Sequence, residues 1–170
     1  DEKVFGPEIH KLPFSEAIKP ADGSSPLLTD YQVIVVGVDN SNYLSMIDKR
    51  TLVKTENDIK SDAKSFASHV SLAKVLKDYN LRRVISFHSR IAAAKDFSSR
   101  LPEVIDWMTS KSKPSGNIKT GFVAGDMPTY ERNRNLSSLG EVKRNQRYVL
   151  SNARCLSEGV DVPALDGIAF

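Results

Sequence analysis

A hydroxyl, an amide and a guanidinium group lie close together near the end of the chain, at Ser151, Asn152 and Arg154. They come directly after the apolar run at 148–150, which has the composition of a buried strand. Open α/β sheets place their ligand sites at the carboxyl ends of such strands. Because all three groups can donate hydrogen bonds to phosphate oxygens, this segment is a candidate contact for a nucleic-acid backbone.

A second apolar run, 84–87, is followed by His88, Ser89 and Arg90 and then by the start of a predicted helix. Free backbone N–H groups and the helix dipole favour a phosphate at such a position. These residues are therefore a second candidate contact for nucleic acid. The structural alternatives are a hydrogen-bonded histidine at position 88 and a salt-bridged arginine at position 90.

The run at 118–124 ends in the same way, with Gly125 and Asp126 before a predicted helix. A glycine there lets the backbone approach a phosphate closely. Arg132, further along that helix, could brace the loop. The alternative is an ordinary turn glycine and an exposed arginine.

The elements that must position these residues can be read from the periodicity of apolar side chains. Continuous β-branched or apolar runs predict strands at 33–38, 84–87, 118–124 and 148–150, with another beginning at Gly167. Helical spacing predicts helices at 61–78, 91–101 and 128–140, and a helical turn at 43–47. Pro102 either interrupts the second helix or starts a new one. Strands that alternate with helices indicate a mostly parallel sheet with helices on both faces.

Composition and charge limit the functional classes. The chain has 170 residues, a single cysteine and no signal-peptide pattern, and no run approaches the roughly 18 apolar residues of a membrane span. These features predict a cytoplasmic protein that is not inserted in a membrane. Residues 1–66 carry a net charge of −3 and residues 67–170 a net charge of +6. The basic second half favours a polyanionic partner; the alternative is that these charges only form a solvated surface.

Sixteen successive positions, 151–166, closely resemble motif V of the superfamily-two helicases and translocases. Residues 82–90 resemble motif IV of the same family. Residues 120–132 resemble that family's block in which a strand ends in a glycine-containing turn and an arginine lies one to two turns into the next helix. The start of the chain is similar to the segment that leaves a helicase's first motor domain. By this resemblance, residues 1–30 are an interdomain crossing segment, and residues 31–170 are a second RecA-like domain of a DEAD/DEAH-type helicase that ends before motif VI.

The resemblance implies a three-layer, RecA-like (P-loop NTPase-like) α/β fold and a role in an ATP-dependent DNA helicase or translocase. This domain would contact the DNA backbone without reading sequence and would form one side of the ATP cleft against the first RecA-like domain. Glu158, Gly159 and Asp161 would bind the nucleotide: the Gly-x-Asp element would face the interdomain cleft, where its acid would meet the ribose or the arginines of motif VI. ATP and Mg²⁺ would bind only in the full-length protein. Because the phosphate loop, the metal-holding acid and the arginine finger lie elsewhere in the family, the isolated chain is expected to be inactive.

Two other interpretations stay open. The chain could be a non-catalytic α/β module that binds nucleic acid or protein on a helicase-like scaffold. A self-contained phosphoesterase is a poorer match, since no Asp/His cluster has metal-ligand spacing. The glycines at 116–121 are spaced as in a phosphate-binding loop, but Phe122 and Val123 follow where Lys and Ser/Thr are required.

Overall fold

Four parallel strands organise the second of the two units into which the chain divides, 1–36 and 37–170. The computed structural model describes residue 6 and residues 11–37, 56–156 and 165–170. Their elements are, in chain order, α1 (Phe14–Ile18), α2 (Glu56–Asp78), β1 (Arg83–His88), α3 (Ile91–Trp107), β2 (Asn117–Ala124), α4 (Thr129–Gly140), β3 (Gln146–Ala153) and β4 (Gly167–Ala169).

The strands lie in the order β2-β3-β1-β4, and every neighbouring pair is parallel. In the centre of the sheet, Val84 of β1 pairs with Val149 of β3. Because all four strands run the same way, their carboxyl ends meet at one edge of the sheet and their amino ends at the other. The prediction of a parallel α/β fold is confirmed.

The two faces of the sheet are both covered, because successive side chains of a strand point to opposite faces. Val84 and Val149 pack into a cluster with apolar residues of α2 and α3, including Leu101. Their neighbours Ile85 and Leu150 pack on the other face, in a cluster with residues of α4. The described elements therefore form three layers, with α2 and α3 on one side of the sheet and α4 on the other.

Two helices differ from their predicted limits. Helix α2 begins at Glu56 rather than at Ser61, although its predicted apolar face is confirmed. Helix α3 passes through Pro102 without interruption and ends at Trp107. Proline costs about 3 kcal/mol in a helix interior. Burial of Leu101, Val104 and Ile105 against the sheet at continuous helical spacing offsets that cost.

The predicted strand at 33–38 is wrong for residues 33–37, which the structure describes. Residues 31–37 form no regular secondary structure, and Val35 is 89% exposed, whereas the prediction required burial on both faces. Within its own unit, the chain turns back after α1, where the Ala17 carbonyl accepts hydrogen bonds from the backbone N–H groups of Leu27 and Leu28. Val38 and the predicted turn at 43–47 lie outside the described residues.

None of the helices within the described residues is long and apolar enough to cross a membrane. The assignment of residues 1–30 to a crossing segment stays a prediction.

Candidate nucleic-acid interface

The turns that follow β2, β3 and β1 lie side by side, because these three strands are neighbours in the sheet. A Cβ atom on Gly125 would lie 3.3 Å from the carbonyl oxygen of Arg154. The Nε atom of Arg154 donates a hydrogen bond of 3.2 Å to the carbonyl oxygen of Ser89. The three turns are therefore in contact with one another at the carboxyl edge.

The carboxyl-edge surface is the name we give to five exposed residues of these turns: Ser89, Arg90, Gly125, Asp126 and Arg154. The two guanidinium groups give it positive charge, and Asp126 contributes a single opposing carboxylate. All five were predicted from the sequence to be site residues, and the structure brings them together.

Two helix N-termini open onto the same edge. Arg90 occupies the N-cap of α3 and Pro128 that of α4, and neither helix has a side chain that caps its first N–H groups. The first N–H groups of a helix have no partner within the helix. Together with the helix dipole, such groups favour an anion.

Arg154 has a left-handed backbone conformation, with φ of 56°. Outside glycine, such a conformation costs of the order of 1–3 kcal/mol and is common at functional sites. The hydrogen bond to Ser89 holds the side chain across the neighbouring turn. This bond holds the guanidinium at this edge.

Ser151 and Asn152 lie inside β3, not after it, and are 0% and 3% exposed. The Ser151 hydroxyl lies 3.1 Å from that of Ser86. The Oδ1 atom of Asn152 accepts hydrogen bonds from the backbone N–H groups of Cys155 at 3.3 Å and Leu156 at 3.0 Å. The burial of these two side chains does not fit their predicted direct contact with phosphate: Ser151 bonds within the sheet, and Asn152 stabilises the turn that presents Arg154.

His88 is turned into the protein. Its Nε2 atom lies 3.0 Å from the Ser86 hydroxyl, and its ring contacts that of Phe97 at a centroid distance of 4.8 Å. Burial, and then the nearby His69, lower the pKa of His88 below its ordinary value. His88 is therefore neutral at pH 7 and matches the alternative of a hydrogen-bonded structural histidine.

His69 was missed by the sequence analysis, although its position in α2 is three residues after Phe66 on the predicted apolar face. It is 1% exposed and stacks on Phe97 at 4.1 Å. Its Nδ1 atom lies 2.6 Å from the carbonyl oxygen of Ser65 and its Nε2 atom 3.2 Å from that of Phe97. Burial lowers the pKa of His69, and the two carbonyl groups only partly oppose this effect.

The free energy of unfolding should fall as the pH decreases below about 6.5, the ordinary histidine value. The folded pKa of both histidines is lowered, so below pH 6.5 the unfolded chain binds more protons than the folded chain. Each can contribute up to about 1.4 kcal/mol per pH unit. In urea unfolding between pH 7.5 and 5.5, the free energy of unfolding should depend less on pH in His69→Gln than in His88→Gln. The reason is that His69 is fully buried, whereas His88 is only half-buried. Equal slopes for both variants and the parent would contradict this assignment.

Arg132 was predicted to brace the turn at Gly125, and it contacts other groups instead. Its Nη1 atom lies 3.8 Å from the sulfur of Cys155, and its Nη2 atom donates to the Thr129 hydroxyl at 3.3 Å. Arg132 therefore links α4 to the turn after β3. Cys155 is partly buried and packs against the apolar cluster on that face.

Glu158, Gly159 and Asp161 lie outside the described residues, so their predicted contact with a nucleotide stays a prediction. Within the part of the chain that the structure describes, no three His, Cys, Asp or Glu side chains are grouped so that they could hold a metal ion.

Comparison with known protein families, with characterised proteins and with solved structures found no match to this chain. What can be inferred about its function therefore comes from its own residues and their geometry.

Proposed function

We propose that the chain supplies the second motor domain of an ATP-dependent DNA helicase or translocase and contacts the phosphate backbone through the carboxyl-edge surface. One observation supports this most directly: the turns after β2, β3 and β1 touch through Gly125, Arg154 and Ser89. These are the turns in which the sequence resembles helicase motifs.

The chemistry of this surface suits a backbone rather than bases. Arg90 and Arg154 provide charge-assisted donors, and the uncapped N-termini of α3 and α4 add backbone N–H groups. Contacts of these types fix a nucleic acid in place but carry no sequence information. Binding should be weak, independent of sequence and sensitive to salt.

ATP and Mg²⁺ belong to the proposal for the full-length protein only. The first RecA-like domain would supply the phosphate loop and the metal-holding acid, while Glu158, Gly159 and Asp161 would close the nucleotide cleft from this side. On this proposal the isolated chain turns over no ATP, with or without DNA.

Binding of a fluorescent oligothymidine at several salt concentrations tests the backbone contact. Each neutralised phosphate adds about −0.7 to the slope of log K against log salt for single strands. Arg90→Ala and Arg154→Ala should each weaken binding and make that slope shallower by up to about 0.7. The matched control is Lys143→Ala, an exposed cation before β3, at the opposite edge. If both arginine variants bind as the parent does at every salt concentration, the surface is not a phosphate contact.

The same substitutions in the full-length protein separate the two functional classes. In a motor, Arg154→Ala should leave basal ATP hydrolysis in place and abolish its stimulation by DNA. Binding of DNA by a full-length protein that never hydrolyses ATP would instead favour a non-catalytic module.

A further inference from the structure

A cavity of about 390 Å³ opens at the amino edge of the sheet, opposite the carboxyl-edge surface. Residues that precede β1, β2 and β3 line it together with the start of β3, among them Asn80, Arg82, Ser115, Gly116, Arg144 and Arg147. We call it the amino-edge cavity. Its volume is within the range of about 300–1,000 Å³ that is usual for small-molecule sites.

Arg147 forms the floor of the amino-edge cavity and is only 4% exposed. Its Nη1 atom donates to the carbonyl oxygens of Leu76 and Leu81, and its Nε atom to that of Ser115. Its Nη2 atom donates to Asn80 Oδ1 at 2.9 Å and to the Ser115 hydroxyl at 3.3 Å. All five donors are therefore occupied by neutral acceptors, so the guanidinium is rigidly held but its charge is not neutralised.

Arg82 adds a second fixed cation, and part of its guanidinium group has no hydrogen-bond acceptor among the described residues. Its Nε and Nη2 atoms donate to the carbonyl oxygens of Gln146, Val142 and Lys143. Within the described residues its Nη1 atom has no hydrogen-bond partner. Arg144, at the mouth, is exposed and makes no hydrogen bond or ion pair to any described residue.

Three arginines, Arg82, Arg144 and Arg147, line the amino-edge cavity together. None of their guanidinium groups lies within 4 Å of a carboxylate of the described residues. The nearby Asp166 is already engaged, since it accepts from the backbone N–H groups of Arg82 and Arg83. Burial, and then the charge of Arg82, lower the pKa of Arg147, and Asp166 only partly opposes this. A bound anion would relieve this repulsion.

We infer that the amino-edge cavity binds the phosphate group of a small phosphorylated molecule. Arg144 and the Nη1 atom of Arg82 provide the free donors, and Arg147 provides a fixed charge beneath them. In the lining of the cavity, the backbone of Gly116 packs closely against that of Asn145, because Gly116 has φ of +87° and a Cβ atom there would lie 2.5 Å from the Asn145 carbonyl oxygen. An extended nucleic acid needs phosphate contacts in series, and the described residues offer these at the opposite edge.

Titration of the chain with inorganic phosphate, followed by NMR of the backbone amides at 115–117 and 144–147, tests this inference. Chloride at equal ionic strength should leave these amides unshifted. Arg144→Gln removes a charge-assisted hydrogen bond and should weaken phosphate binding about tenfold. The matched control, Lys143→Gln, removes the same charge from a neighbouring side chain that does not line the cavity, and should change the affinity by less than about twofold.

Equal losses in Arg144→Gln and Lys143→Gln would overturn the inference, because they would indicate general surface charge rather than a site. An absence of shifts with phosphate, or equal shifts with chloride, would overturn it as well. An oligothymidine that shifts these amides when phosphate does not would assign the cavity to nucleic acid instead. Arg90→Ala should leave the phosphate-dependent shifts of the cavity amides unchanged, so this site and the proposed DNA contact can fail separately.

Discussion

Replacing Arg147 by methionine should lower the free energy of unfolding by about 3–5 kcal/mol, the cost of breaking a buried set of charged hydrogen bonds. Methionine matches much of the length of the side chain but leaves the carbonyl groups of Leu76, Leu81 and Ser115 without this donor. Leu76 lies near the end of α2, Leu81 in the loop between α2 and β1, and Ser115 in the loop before β2. The substitution should therefore disconnect three segments at once.

Urea unfolding of Arg147→Met, Arg147→Lys and the parent measures the effect. Lysine keeps the charge but has three donors instead of five, so its loss should be intermediate. Arg144→Met is the matched control, because Arg144 is exposed and without a described partner; its effect should stay within about 0.5 kcal/mol. A loss below about 1 kcal/mol for Arg147→Met would contradict the role assigned to these bonds.

The strands that the sequence predicted correctly are those with covered faces. The runs at 84–87, 118–124 and 148–150 carry β-branched and apolar residues, and each lies in the sheet between helices. The run at 33–38 has a similar composition, yet its described part pairs with no strand. A run of this composition therefore forms a strand only where neighbouring strands and helices can bury it.

The limits of β3 show why the site was only partly predictable. Ser151 and Asn152 are polar and were predicted to follow the strand, but they pair with Ser86 and Phe87 of β1. Their inclusion in the strand depends on that long-range pairing, which single-sequence periodicity does not report. Arg147 was missed for the same reason, because its partners are 32 to 71 residues away along the chain.

Asn152→Ala should be the most disruptive substitution near the carboxyl-edge surface. It removes the acceptor of the backbone N–H groups of Cys155 and Leu156. A buried donor left unpaired costs about 1–3 kcal/mol, so we expect a total loss of about 2–4 kcal/mol in the free energy of unfolding. Asn152→Asp keeps an acceptor oxygen and should lose less. Asn133→Ala, at an exposed position of α4, is the control for amide removal and should change little.

The same substitution should weaken DNA binding although the Asn152 side chain is buried. The turn that Asn152 stabilises holds Arg154 in its left-handed conformation, with its guanidinium directed across to Ser89. Without that turn, oligothymidine binding by Asn152→Ala should fall to the level of Arg154→Ala, and the Leu156 amide should exchange with solvent faster. Measurements below the unfolding transition separate this effect from loss of fold. If Asn152→Ala loses stability but binds DNA as the parent does, Arg154 does not depend on the turn for its position.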